Sequence, residues 1–487
     1  MNNRNRTIII IKEYSLIFKL IRNDNKENQL IKILNDNEIG ELFYNKIWKN
    51  KYLRKIISNQ LLKGTIERIG ENEKTFLDIK RLNKYKNKNF LKSIIILDNM
   101  EPSTIKLPKS ITKLSLPNFK RYLREGYFES DSITELNLLG YDEQLSYGSI
   151  PNSVKTIRFS IFNQAIQQDC LPEQLETLEF GLLFNQPIVE YSIPQSLTLL
   201  NFGHSFNQSL ENANLGATCI TTLIFGNNFN QQIQIGQLPS QLKTLYFGNG
   251  WSQPIIANSF GQSITDLTFS KFNHPISPGD LPCSLLKLTF KSNFNQNLLP
   301  NSIPNSVVDL FLGVSFDKPL IEGSIPNSCT SLSITGIFNQ MLQSYSIPKS
   351  IISLELGYCF DQPLENANLS STSITSLILG DRYNQSINKG YLPNNLKYLK
   401  LGAEFNKPLI VGSMDSIKKL RLGYKFNQDI PINVIPLVES LELGSSFNKK
   451  LDTFIIPSVK SLTICNRLYD HIIQENDLPN VKELIFI

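Results

Sequence analysis

Catalytic and metal sites are most often led by His, Cys or paired carboxylates, and this 487-residue chain is sparing with the first two. Its three histidines, His204, His274 and His471, stand far apart and in different surroundings, so no pair has metal-ligand spacing. Its six cysteines (Cys170, Cys219, Cys283, Cys329, Cys359, Cys465) never form Cys-x-x-Cys and read as free thiols of a reducing compartment. No Gly-rich phosphate loop or kinase signature is present, and the carboxylates form no pair suited to acid–base work. The sequence therefore predicts no catalytic residue, metal site or cofactor. The side chains that remain are those of a binding surface, and the elements that carry them decide where that surface lies.

Those elements repeat. Leu178 recurs as Leu114, Leu136, Ile157, Leu200, Leu223, Leu245, Leu267, Leu288, Leu310, Leu332, Leu354, Leu377, Leu399, Leu420, Leu441, Leu462 and Leu484, eighteen copies in steps of 21–23 residues. A fixed period in this range marks a solenoid. Around each anchor, apolar residues at 0 and +2 alternate with mostly polar ones at −1 and +1, the period of a short strand with one buried face. Position −3 is apolar in every copy, with Cys329 the least typical. One such strand cannot bury its own face, so neighbouring copies must stack. Seventeen steps at ~4.8 Å make a ribbon of roughly 80 Å.

Two aromatic columns should fill the core: Phe159, Phe180, Phe202, Phe225, Phe247, Phe269 and Phe290 at +2, and a second running from Tyr141 and Phe162 through Trp251 and Tyr383 to Phe447. After the second aromatic comes Asn: Asn163, Asn185, Asn207, Asn230, Asn273, Asn295, Asn339, Asn384, Asn406, Asn427 and Asn448, replaced by Asp142, Asp317, Asp361 or Ser252 elsewhere. Short amide side chains in such a column can pair backbone groups that a repeated turn leaves open. Gly at +3 predicts positive φ or close backbone approach, and Pro before most strands predicts an extended return segment, not a helix.

Phe-Asn-Gln-Pro-Ile at 184–188, together with the recurring Ile/Leu-Pro-x-Ser-Ile/Leu-x-x-Leu-x-Phe/Leu-Gly, resembles the FNIP repeat, a relative of the leucine-rich repeat. The resemblance covers about residues 101–487. It implies a mainly β, leucine-rich-repeat-like solenoid with a parallel sheet in an intracellular protein. Some members of that family join the repeats to an F-box or a kinase domain.

Two regions are expected: a helical leader, cap and basic linker over 1–92, and the repeat solenoid over 93–487. Residues 15–62 carry apolar residues at helical spacing, such as Leu16, Ile17, Leu20 and Ile21. Phe43 to Arg54 resembles the leader of other FNIP proteins and has a faint F-box likeness, without a Leu-Pro start and with Trp48 too early. A helical cap over the first coil is the simpler reading. Residues 1–100 hold 21 Lys+Arg against 11 Asp+Glu and the remainder 28 against 32, so the net +6 belongs to the leader. The basic run at 80–92 reads as a solvated linker.

With no run of apolar residues long enough to span a bilayer, the expected place is the cytoplasm or nucleus. The sequons at Asn207 and Asn384 argue the same way if ladder Asn are buried. The expected function is a non-enzymatic protein-interaction scaffold. Alternatives are a ubiquitin-ligase adaptor acting through the leader, and a basic leader contacting nucleic acid or anionic membrane. Nucleic acid and membrane are not the expected partners. Candidate partner-binding residues are Tyr398, Lys400, Lys419 and Arg421, with Lys397 and Lys418 close by and Glu442 partly neutralising them, and an apolar strip of Ile224, Tyr246 and Phe311. The last strand, Leu484 to Ile487, has no polar capping repeat, so cover of that edge by a second copy of the chain or by a partner is a further expectation.

Overall fold

A computed structural model of the chain describes residues 73–85, 88–99, 105–471, 473 and 477–487. The leader over 15–62, including the segment compared with an F-box, lies outside these residues. Each repeat contributes one strand of three or four residues to the main sheet, and consecutive strands pair in parallel with anchor opposite anchor; Ile105–Lys106 and Phe128–Glu129 pair apart from it. Leu223 faces Leu245, Leu245 faces Leu267 and Leu267 faces Leu288. The result is one sheet of 20 strands running from Glu73–Phe76 to Glu483–Phe486. Thr222–Phe225 shows why: Leu223 and Phe225 are buried while Thr222 and Ile224 stay half-exposed, the alternation of a one-sided sheet.

The sheet starts earlier than residue 93. Glu73–Phe76 pairs with Ser93–Ile96, placing Phe76 opposite Ile96. Residues 80–85 and 88–92 of the basic run are therefore part of the return path of a coil and not a linker, with Lys80, Arg81, Lys84 and Lys92 exposed to solvent as expected. Its helix Ile79–Lys84 is capped by Asp78, which accepts from the Arg81 N–H, and it inserts Leu82 into the core. No repeat anchor had marked this coil, since Lys74 stands where Leu would be expected.

Both aromatic columns are buried. Within a coil the two rings stack face to face, as in Phe180–Phe184 at 3.7 Å and Phe225–Phe229 at 3.9 Å. In the same two coils the rings next to the strand, Phe202 and Phe225, lie 5.4 Å apart, while those of the second column, Phe206 and Phe229, lie 6.0 Å apart. Strands are spaced only ~4.8 Å. Coil spacing thus widens with distance from the sheet, so the stack bends with the sheet on its inner side.

The return side is built of tight turns. Pro172, Pro194 and Pro239 each offer a carbonyl to the N–H three residues on, closing a turn where an extended segment was expected. At +3 the expected close approach is present: a Cβ on Gly226 would lie 1.5 Å from the Gly203 carbonyl oxygen. Gly203 itself has φ +71.

Candidate partner-binding face

The Asn column is a ladder in two runs, with the break after Ser252, whose N–H still donates to Asn230 Oδ1. Asn185 N–H donates to Asn163 Oδ1, Asn207 N–H to Asn185 Oδ1 and Asn230 N–H to Asn207 Oδ1, each at 2.9 Å. The same link joins Asn273 to Asn295, runs through Asp317, Asn339, Asp361, Asn384, Asn406 and Asn427, and reaches Asn448. Acceptor-only Asp can replace Asn because the link needs only the side-chain oxygen. A second strut was not foreseen. The Gln that follows the ladder residue returns its Nε2 to the previous rung, as Gln208 does to Asn185 and Gln385 to Asp361.

The ladder is not buried, however. Asn207 is exposed and Asn384 half-exposed, because the column runs along the outer turn with one edge to solvent. Burial of the sequons therefore gives no argument about compartment. Among the described residues no helix is long and apolar enough to cross a membrane.

Tyr398, Lys400, Lys419 and Arg421 do come together. Tyr398 faces Lys419 and Lys400 faces Arg421 across adjacent strands. The Lys419 ammonium sits 5.6 Å from the Tyr398 ring centre. Arg421 Nε meets Glu442 Oε1 at 2.8 Å, while Lys418 meets Glu439 at 3.6 Å. Among the described residues Lys397, Lys400 and Lys419 have no carboxylate within ion-pair distance. The apolar strip does not form as one. Ile224 and Tyr246 are neighbours, but Thr268 and Thr289 separate Tyr246 from Phe311. The Tyr246 hydroxyl is also engaged, 3.0 Å from Ser270 Oγ and 3.4 Å from Lys291 Nζ.

At the other end of the sheet an ion chain crosses four strands. Lys113 Nζ lies 2.9 Å from Glu135 Oε1, Arg158 Nη1 contacts the same oxygen, and Arg158 Nε reaches Glu179 Oε1 at 2.8 Å. Burial alone would raise the Glu135 carboxyl, but Lys113 and Arg158 outweigh it and hold it below the usual carboxylate range. Sequence reading missed this chain, although opposite charges one repeat apart would have signalled it. The inner face thus has a neutralised N-terminal end and a cationic C-terminal one.

The groups that could lead catalysis remain dispersed. His274 Nε2 lies 2.7 Å from the Ser252 carbonyl, His204 Nδ1 lies 3.3 Å from Asn227 Nδ2, and His471 is near Asp470. Among the described residues all six cysteines are free, and no group of three His, Cys, Asp or Glu is placed to hold a metal. A hollow of about 890 Å³ on the return side is lined by Glu190, Asn214, Gln232 and Ile235 among others, with no His or Cys. The last strand, Glu483–Phe486, is exposed along its length, with Leu484 and Phe486 among the uncovered side chains.

The FNIP Repeat profile matches ten successive, partly overlapping segments, from residues 141–183 to 405–446. The chain belongs to the FNIP repeat family. A solved structure titled "The crystal structure of CroV588 a novel circular LRR protein structure" is similar to this FNIP chain at 31% identity and TM-score 0.73, covering 85% of this chain and 68% of that one. The mouse RP105/MD-1 complex is similar at 13% identity and TM-score 0.51, covering 78% of this chain and 71% of that one. A TLR13–ssRNA13 complex is similar at 15% identity and TM-score 0.51, covering 88% and 61% respectively. These last two show the fold alone. No match is found among curated proteins.

Proposed function

We propose that this FNIP repeat protein is a non-enzymatic scaffold that binds another protein on the inner face of its sheet. The observation that carries this reading is the cluster of Lys397, Lys400 and Lys419, three cations on two adjacent coils without a carboxylate partner among the described residues, beside Tyr398 and the half-neutralised Arg421. Unpaired cations on a rigid, regularly spaced face favour a partner segment that brings its own carboxylates. Repetition supplies the length and rigidity of that face without assembling a catalytic group. The circular neighbour indicates that such coils can carry a curved surface a long way round.

The test is affinity capture with the full chain and with Lys400→Glu/Lys419→Glu/Arg421→Glu, checked for unchanged circular dichroism and melting. Binding reading and site are both supported when captured partners disappear from the variant. An identical captured set would remove the site. No saturable, stoichiometric partner for either chain would remove the function.

A further inference from the structure

Just before each strand, two residues ahead of the anchor, runs a row that the alternation pattern assigns to neither face. It forms the rim of the inner face, and its backbone is continuous from coil to coil. Val308 N–H donates to the Leu286 carbonyl, Thr330 to Val308, Ile352 to Thr330, Thr375 to Ile352, Lys397 to Thr375 and Lys418 to Lys397. In sequence the row is Thr, Lys or Glu in all but three of the eighteen anchored repeats. The three exceptions are Leu286, Val308 and Ile352, and they are 49%, 40% and 48% exposed. Phe311, three residues after Val308, is half-exposed on the adjoining face with only Thr289 and Ser333 beside it in its row. Thr330 interrupts the apolar part of the rim between Val308 and Ile352, and Thr375 separates it from the cationic part, Lys397 and Lys418.

We infer that the rim is a bipartite docking track for one extended protein segment, whose apolar side chains lie on Leu286, Val308, Ile352 and Phe311 and whose carboxylates lie on Lys397, Lys400 and Lys419. This rests on the protein-binding reading above and specifies the partner. Solvent-facing Leu, Val and Ile in a row otherwise kept polar create an apolar surface that water leaves uncovered at a cost. The charges select among occupants. Asp309 and Glu355 stand on the face among the apolar residues, on the coils of Val308 and Ile352. They oppose the uniform negative charge of a nucleic acid or an anionic membrane, but not a segment whose acidic residues are gathered at one end. From Val308 to Lys397 is four coils, ~19 Å at ~4.8 Å per strand. An extended chain covers that in about six residues at ~3.3 Å each. The segment therefore carries an apolar cluster and an acidic cluster about six residues apart.

The experiment is selection of a displayed random peptide library against the immobilised full chain, Val308→Glu/Ile352→Glu and Lys397→Glu/Lys400→Glu. Selected peptides are then measured by fluorescence anisotropy beside a single-stranded RNA oligonucleotide and phosphatidylserine vesicles. The inference predicts enriched peptides with both clusters at that spacing. The first variant should lose the apolar preference and the second the acidic one, each with at least a tenfold weaker Kd. A selected consensus that neither variant changes overturns the track, as does RNA or vesicle binding tighter than any peptide. Absence of enrichment on any chain overturns it too, even where the capture experiment still finds a partner. Rim residues are solvent-exposed, so melting of both variants within a few degrees of the parent confirms that lost binding is not lost folding.

Discussion

Replacing Phe225 by Ala tests the packing on which the face depends. Phe225 is fully buried, 3.9 Å from the Phe229 ring and 5.4 Å from both Phe202 and Phe247. Losing a buried aromatic side chain forfeits ~1.5–3 kcal/mol of transfer energy. Each stacked pair adds ~0.5–1.5 kcal/mol, and the walls cannot collapse, being held by the coils on either side. The expected cost is ~3–5 kcal/mol. Phe225→Leu should cost less, roughly 1–2 kcal/mol, a few buried methylenes; Leu occupies this register at Leu312, Leu356 and Leu401. Because each coil contacts only its neighbours, the loss must be local. Native-state hydrogen exchange reads it directly: protection falls in Thr222–Phe225 and the flanking strands, and stays as it was in Ser440–Leu443. Unchanged protection at Phe225, or an equal fall at both places, would refute the stacked-coil reasoning.

Tyr383 carries a buried hydroxyl without a hydrogen-bond partner among the described residues, in a column otherwise filled mostly by Phe, and burial raises its pKa above the ordinary tyrosine value. Tyr383→Phe should therefore leave stability unchanged or raise it by ~1–3 kcal/mol in a denaturant melt. Gly226→Ala should cost more than ~4 kcal/mol or prevent folding, since its Cβ would overlap the Gly203 carbonyl; Gly236→Ala, with open space but φ +83, should cost only ~1–2 kcal/mol. Thiol labelling of the native chain should modify exposed Cys219 and Cys283 first. Burial pushes the Cys170 thiol up to about 11 and Cys329 up to about 12, so both should react only after unfolding. Glu135 has a depressed pKa when folded, so its contribution is present above the ordinary carboxylate value and lost as pH falls through the folded one. Acid unfolding of Glu135→Gln should show a shallower loss of stability below pH ~4 than the parent.

Much of this molecule was legible because each physical requirement recurs once per coil. The anchor, the aromatic columns, the Asn ladder and the tight Gly are set by contacts with the next coil, so the period exposes them. What failed were statements about solvent and neighbourhood. Asn207 was expected inside because its side chain has a backbone partner, yet that partner needs only one edge of the amide. Ile224, Tyr246 and Phe311 were grouped by residue type, whereas adjacency on the face follows coil order and puts Thr268 and Thr289 between them. The coil at Glu73 escaped notice because Lys74 breaks the anchor pattern. The rim of Leu286, Val308 and Ile352 was invisible to alternation, since it lies one residue before each strand begins.

Site-specific photocrosslinking asks most directly which face works. A photoreactive residue is placed in turn at Thr289, Ser333 and Ile378 on the inner face, and at Tyr147, Tyr345 and Phe454, exposed on the return side. Partner adducts from the inner-face positions and none from the return side are the predicted result. Adducts confined to the return side would contradict it.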